Sequence, residues 1–301
     1  MSNGNQRWGL YLLSRVLAPF SNNAWFLTST TLMLAAITLG CLYLWNQYSE
    51  AILSQPEFKL TSEKLQVTAT PEWIKSDVKS DAIIRGRLLG ANIMDPEISL
   101  RINRAFRSNP WVRDVPLVNP SGARGRGVIV ELEWRRPVAF VIVDARNYGQ
   151  DYAEGLFPVD EEGVLLPQEI PSDKANEYPK IGGISTEPNS RKAGLPWGDS
   201  RVTEAAEIAV LLEDIWHDLG LKRIDVPTIE EKKTKQAFYR LVLLNNESTV
   251  WGSAPGKEIR DESSAAEKVA RLRQLLKEPD DRMSQAIRDV DLRQVRWASR
   301  R

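Results

Sequence analysis

From residue 16 to residue 49 the chain contains no lysine, arginine, aspartate or glutamate. Inside that stretch Ala24 to Trp45 reads AWFLTSTTLMLAAITLGCLYLW, 22 residues dominated by apolar side chains. A helix rises about 1.5 Å per residue, so this segment spans roughly 33 Å, against a hydrocarbon core of about 30 Å. The residues that follow are polar and mixed in charge. The pattern predicts a membrane anchor carrying a large folded region on one side. A cleaved signal peptide would have a shorter apolar core ending at a small-residue site. Here bulky Tyr43, Leu44 and Trp45 follow the small residues. A lipoprotein reading would use Cys41, but Thr38 stands where leucine is usual and apolar residues follow the cysteine.

Charge bias near a span sets its orientation. The N-terminal tail holds Arg7 and Arg15 and no acid, whereas Glu50 and Glu57 are the first charges after the apolar run. The tail is therefore expected in the cytoplasm and the bulk of the chain outside. Trp25, Tyr43, Trp45 and Tyr48 lie near the ends of the run, where amphipathic rings favour the headgroup layer. Leu10, Tyr11, Leu13, Val16 and Leu17 predict a short amphipathic segment before Pro19, lying on the inner surface.

Forty basic and forty acidic residues cancel, with no basic block, so charge gives no case for nucleic acid. The one cysteine lies in the anchor, so the outer region has no disulfide framework. At about 250 residues that region can form one or two cores without one. No internal repeat stands out.

Residues 61–135 read as β-α-α-β-β. Leu65–Ala69 alternates like a strand, and a helix is expected from Ser76 to about Arg85. Asp95-Pro96 reads as a helix start, and Ile98, Ile102, Ala105 and Phe106 fall on one helical face. Asn109-Pro110 ends that helix; strands follow from Trp111 and over Val128–Trp134. Beyond residue 136 comes an apolar strand, Pro137–Val143, then a hairpin of Leu156–Asp160 with Gly163–Pro167. Residues 168–200 look like an inserted loop, with Tyr178–Ile181 as a short strand. Val202, Ala205, Ala209, Leu212 and Trp216 mark a helix face closed by Gly220. Strands are expected at Arg223–Val226, Phe238–Leu244 and Thr249–Trp251. A capping box, Ser264-Ala-Ala-Glu267, opens a helix with Val269, Leu272 and Leu276 on its apolar face. The last strand is expected over Ala286–Trp297. The fold class is therefore α+β: one transmembrane helix, a βααββ unit, and a β-rich domain with a mixed or antiparallel sheet and flanking helices.

Chemistry has few candidates. His217 is the only histidine and has no evident partner. Asp160, Glu161 and Glu162 are adjacent but fall in a predicted turn, which favours solvated acids over a glycosidase pair. Gly122-Ala-Arg-Gly-Arg-Gly lacks the Lys-Ser/Thr of a P-loop and leads into a strand, so it reads as a hairpin loop; its two arginines could meet anionic headgroups or glycan acids. Ten tryptophans fall mostly at element edges, where packing accounts for them. No catalytic, cofactor-binding or metal-binding residue is assigned and no cofactor is expected. Binding by backbone is the stronger expectation, because a sheet edge offers unpaired N–H and C=O groups to an extended segment. Asp291, Leu292, Arg293, Gln294, Val295, Arg296 and Trp297 are the candidates for that edge, since no further residues follow to cover them.

Taken in order, these motifs resemble the bacterial cell-division family FtsQ/DivIB. The βααββ unit is similar to a POTRA domain. Asn109-Pro110-Trp111-Val112 with Asp114-Val115 resembles the family's "PWV…V" strand start, and Arg135-Arg136-Pro137-Val138-Ala139 its "E-R-x-P-V-A" junction. Val159-Asp160-Glu161-Glu162-Gly163-Val164 is similar to its "VD-x-x-G" hairpin, Val250-Trp251-Gly252 to "I-x-L-G", and Val290-Asp291-Leu292-Arg293 to "VDLR". The chain departs from the family at Leu65–Ile74, where "I-x-V-x-G" is usual, at residues 168–200, and after Arg293, where a further edge strand is usual. The resemblance implies a tail over 1–23, a span over 24–45, a juxtamembrane linker over 46–60, a POTRA-like domain over 61–135 and a β domain over 136–301. It further implies a non-enzymatic scaffold in the cytoplasmic membrane at the division site. Its partners would be other single-span division proteins and, through them, septal peptidoglycan synthases. A POTRA-type accessory of another envelope pathway and a membrane-anchored carboxylate hydrolase are the alternatives.

Overall fold

The computed structural model describes residues 6–120, 127–143, 155–189, 191–233, 237–277, 285–287 and 290–294, with side chains in the first helix described from Thr28 onward and those of Ile52, Ser172 and Asp173 set aside. The Gly122–Arg126 loop lies outside these residues. The first helix, α1, runs unbroken over Gln6–Leu53. The expected separate segment before Pro19 is instead part of the same helix. Thr28–Ala51 is long and apolar enough to cross a membrane, and its side chains make no core of their own.

After α1 a 3-10 turn at Pro56–Phe58 leads to the first unit. It contains β1 (Leu65–Val67), α2 (Val78–Arg85), α3 (Ile98–Arg107), β2 (Val112–Pro120) and β3 (Val128–Trp134). The sheet order is β1-β3-β2, with β1 parallel and β2 antiparallel to the central β3. The expected element order is present. Asp77 caps α2, its carboxylate accepting from Ser80 N at 3.0 Å. Asp95 is not the cap of α3. Its Oδ1 accepts from Glu97 N, closing a turn that precedes the helix. Ile98, Ile102, Ala105 and Phe106 all point into the core, as their spacing requires.

The second unit is a six-stranded mixed sheet, ordered β5-β4-β6-β7-β8-β9. Its strands are β4 (Ala139–Val143), β5 (Gly155–Val159), β6 (Lys180–Gly182), β7 (Leu221–Asp225), β8 (Tyr239–Leu243) and β9 (Ser248–Gly252). The helices are α4 (Ser172–Ala175), α5 (Ser200–Leu212), α6 (Ile229–Lys233) and α7 (Ala265–Leu275). β6 is an internal strand, parallel to both β4 and β7. The segment 168–200 is thus not an appended loop, because it supplies the strand that joins the two halves of the sheet. The short strand expected at Tyr178–Ile181 is present, shifted to Lys180–Gly182. Trp197 from the same segment is buried in the larger core.

The expected last strand is corrected. Residues 285–287 are helical, and Leu292-Arg293 form a turn. Asp291 Oδ1 accepts from Arg293 N at 3.0 Å, and Gln294 N donates to the Asp291 carbonyl at 3.3 Å. An aspartate that binds the backbone two residues on bends the chain, which overrides the alternating pattern of Val290-Asp291-Leu292-Arg293.

Leu166 leaves its own sheet and is buried in the core of the first unit, beside the cluster that holds Trp111 and Phe106. Leu166→Ala should cost about 3 kcal/mol by loss of transfer energy and cavity formation. Urea unfolding of the full chain in detergent, followed by tryptophan fluorescence, checks this. Leu244→Ala, at an exposed position, should change stability by less than about 0.5 kcal/mol.

Candidate docking surface

A sheet recruits a partner strand only where an edge is uncovered. Around β5 the chain does the covering: Leu166 N donates to the Pro158 carbonyl at 2.9 Å, and Gln168 Nε2 donates to the Leu156 carbonyl at 3.3 Å. β2 is interrupted by two register shifts and carries Pro116 and Pro120, features that discourage edge pairing. β9 differs. It pairs with β8 on one side, and among the described residues no strand pairs with its other side.

The terminal segment packs against β9. Thr249 Oγ1 donates to the Val290 carbonyl at 2.8 Å. The carbonyls of Leu292, Arg293 and Gln294 accept from Arg271 Nη1, Ser263 N and Ser263 Oγ at 3.3, 2.9 and 2.9 Å. Leu292 is fully buried. Asp291 and Arg293 form an ion pair, and the Arg293 guanidinium lies 4.6 Å from the centre of the Phe238 ring. Of the residues expected to form an open edge, Asp291, Leu292, Arg293 and Gln294 therefore form a docked strap. Val295, Arg296 and Trp297 lie outside the described residues. β9 is the last strand of the six-stranded sheet, and this strap packs beside it.

The end of β9 is fixed by a buried ion pair. Lys268 Nζ sits 2.6 Å from Glu262 Oε1, and both side chains are almost wholly removed from solvent. Glu262 also accepts from Ser253 N and Ser253 Oγ, each at 2.7 Å, and from Ile259 N at 3.1 Å. Burial pushes the Glu262 carboxyl up, but the Lys268 ammonium and these donors outweigh it and hold it below the usual carboxylate range. Lys268 Nζ also lies 5.1 Å from the centre of the Trp251 ring. Gly252 has φ +104, and a Cβ there would fall 2.0 Å from Glu262 Oε1. The glycine of Val250-Trp251-Gly252 is thus required both by backbone conformation and by the carboxylate beside it. Helical periodicity could not reveal Lys268, because a lysine next to an apolar face usually snorkels outward.

The acids of the Asp160-Glu161-Glu162 turn are not a free solvated cluster. Asp160 is buried and accepts from Glu162 N, Val164 N and the Arg135 guanidinium. Burial pushes its carboxyl up despite these donors. Glu162 takes Arg135 and Arg113 at 2.9 Å each, and Arg135 holds its carboxyl below the usual range. Glu161 pairs with the other arm of Arg113. Gly163, at φ +70, closes this turn where a Cβ would meet Thr203 Oγ1 at 2.5 Å. Glu169 completes the junction. Its carboxylate accepts from Lys75 N, Ser76 N and Trp111 Nε1 at 2.8, 3.0 and 3.1 Å. No pattern in the sequence singled out Glu169, which sits in a proline-rich run. With Asp160 and Glu162 each bound to Arg135, the turn works as an inter-unit clamp, and Asp160 and Glu161 line a small cleft together with Trp73, Arg113 and Arg136. His217 is exposed in the turns after α5.

No family model matches the chain, and no curated protein matches it.

Lys268→Ala should destabilise the chain by about 3–5 kcal/mol, because it leaves a buried carboxylate unpaired. The Lys268→Met/Glu262→Gln double substitution should recover much of that loss. Since the folded Glu262 titrates below its ordinary value of 4.5, its contribution is complete above that pH and disappears as pH falls through the folded value. Glu262→Gln should accordingly flatten the fall in stability on the acid side of pH 4.5, measured as urea midpoints across pH.

Proposed function

We propose that this chain is a non-enzymatic scaffold anchored by α1, with its two sheet-bearing units outside the cytoplasmic membrane. In this reading the first unit is a POTRA-like domain and the second recruits single-span proteins of the division machinery, and through them the enzymes that build the septal wall. The supporting observation is the termination of the six-stranded sheet at β9, which leaves one edge without a partner strand among the described residues. A partner segment would add to that edge by main-chain hydrogen bonds, with side-chain pockets setting choice. Arg7 and Arg15 before the apolar run support an inside location for the tail. The ordered motifs from Asn109 to Arg293 support the division family over other envelope pathways. The pairing of Asp160, Glu161 and Glu162 with arginines supports binding over carboxylate hydrolysis.

Val250→Pro removes an N–H from β9 and should weaken partner capture without loss of the anchor. Crosslinking from intact membranes, followed by recovery of the full chain, reads this out. A chain ending after Arg293 measures the share carried by Gln294–Trp297. Depletion should give filaments without septa, and a fluorescent fusion should gather at mid-cell. An even envelope distribution with normal division would overturn the reading.

A further inference from the structure

We propose that the loop between α2 and α3 rests on the lipid surface through Leu89 and Met94. This rests on α1 being a membrane anchor. Asn92 Nδ2 donates to the Leu53 carbonyl at 3.1 Å, at the last turn of α1. Leu53 lies three residues past Glu50, the first charge after the apolar run, which is about 4.5 Å of helical rise. The headgroup layer on each face of a bilayer is about 5–8 Å deep. Asn92 therefore sits at the level of the headgroups or just above them.

The loop cannot swing away from that level. Leu60 N donates to the Ala91 carbonyl, Gly90 N to the Leu60 carbonyl and Ile93 N to the Phe58 carbonyl, at 2.8, 2.9 and 2.8 Å. Leu89 and Met94 are three and two residues from Asn92, so their Cα atoms lie within about 11 and 8 Å of it. Their neighbours Leu88 and Ile93 fill the core of the first unit, whereas Leu89 is 63% and Met94 57% exposed. Two large apolar side chains are thus held out of the core beside the end of the anchor. Arg87, also exposed, adds a cation suited to anionic headgroups. Lipid is the occupant because the anchor brings it to this loop whatever else binds.

The test uses the full chain in vesicles of phosphatidylethanolamine and phosphatidylglycerol. With Cys41→Ser removing the native thiol, single cysteines are placed by Leu89→Cys, Met94→Cys, Tyr48→Cys and Leu244→Cys and labelled with an environment-sensitive fluorophore. Lipids spin-labelled near the headgroup should quench the labels at 89 and 94 several-fold more than the label at 244, and to a degree close to that at 48. Quenching at 48 with 89 and 94 behaving like 244 overturns the lipid contact and leaves the anchor standing. Absence of quenching at 48 overturns the anchor, and the contact with it. Shielding of 89 and 94 only after addition of a second membrane protein, with no lipid quenching, assigns the patch to a protein and overturns the proposal.

Discussion

Arg135 leaves the end of β3 and meets Asp160 and Glu162, two acids of a turn that belongs to the other sheet. Its backbone N–H is also used, donating to the Trp111 carbonyl at 2.8 Å. Its own carbonyl accepts from Trp73 Nε1 at 3.2 Å. One residue thus links the first unit's core to a charged turn in the second. Glu169 and Leu166 extend the seam, one by capping free N–H groups before α2 and the other by filling apolar space. The two sheets are joined by a part-buried polar contact with an apolar plug, so their relative position does not depend on a linker. Asp160 is the most shielded charge of the seam, so removing Arg135 would leave a buried carboxylate without its cation.

How much of this was readable varied with the length of the signal. The anchor and the βααββ order followed from long patterns: an uncharged run, a four-residue helical stripe at Ile98–Phe106, and alternating Val128–Trp134. The capping box at Ser264 was readable because its two partners lie three residues apart, and both bonds form. What was not readable were non-local features. The short strand expected at Tyr178–Ile181 is present as β6, but its place between β4 and β7 had no local signal. Glu161 and Glu162 are part-exposed turn acids as expected, whereas the burial of Asp160 and the arginines that bind all three, far away in sequence, had no local signal. The strap at 291–294 alternated like a strand, but one aspartate side chain decided its course.

The edge of the larger sheet shows the same limit. The chain's last residues looked like the natural edge, whereas Leu292 is buried in the core and the segment is held by Ser263 and Arg271. This leaves β9 as the terminal strand of the sheet and gives its surroundings a defined shape. Trp251, Lys268 and Glu262 form a rigid backing on one side, and Gly252 turns the chain at the end. Under the proposed function, a strand supported in this way would be pre-organised for addition, which lowers the entropy lost when a partner segment docks.

The region expected to be a juxtamembrane linker over 46–60 is mostly structured. α1 continues to Leu53, and the residues after it are bonded to the loop at 90–93. The membrane segment is consequently a shaft and not a leash. The backbone between α1 and β1 has little slack, since Leu53, Phe58 and Leu60 are all bonded to the loop at 90–93. Under the proposed function, a partner segment would have to reach β9 at a height set by this rigid connection, so the architecture would select for distance as well as sequence.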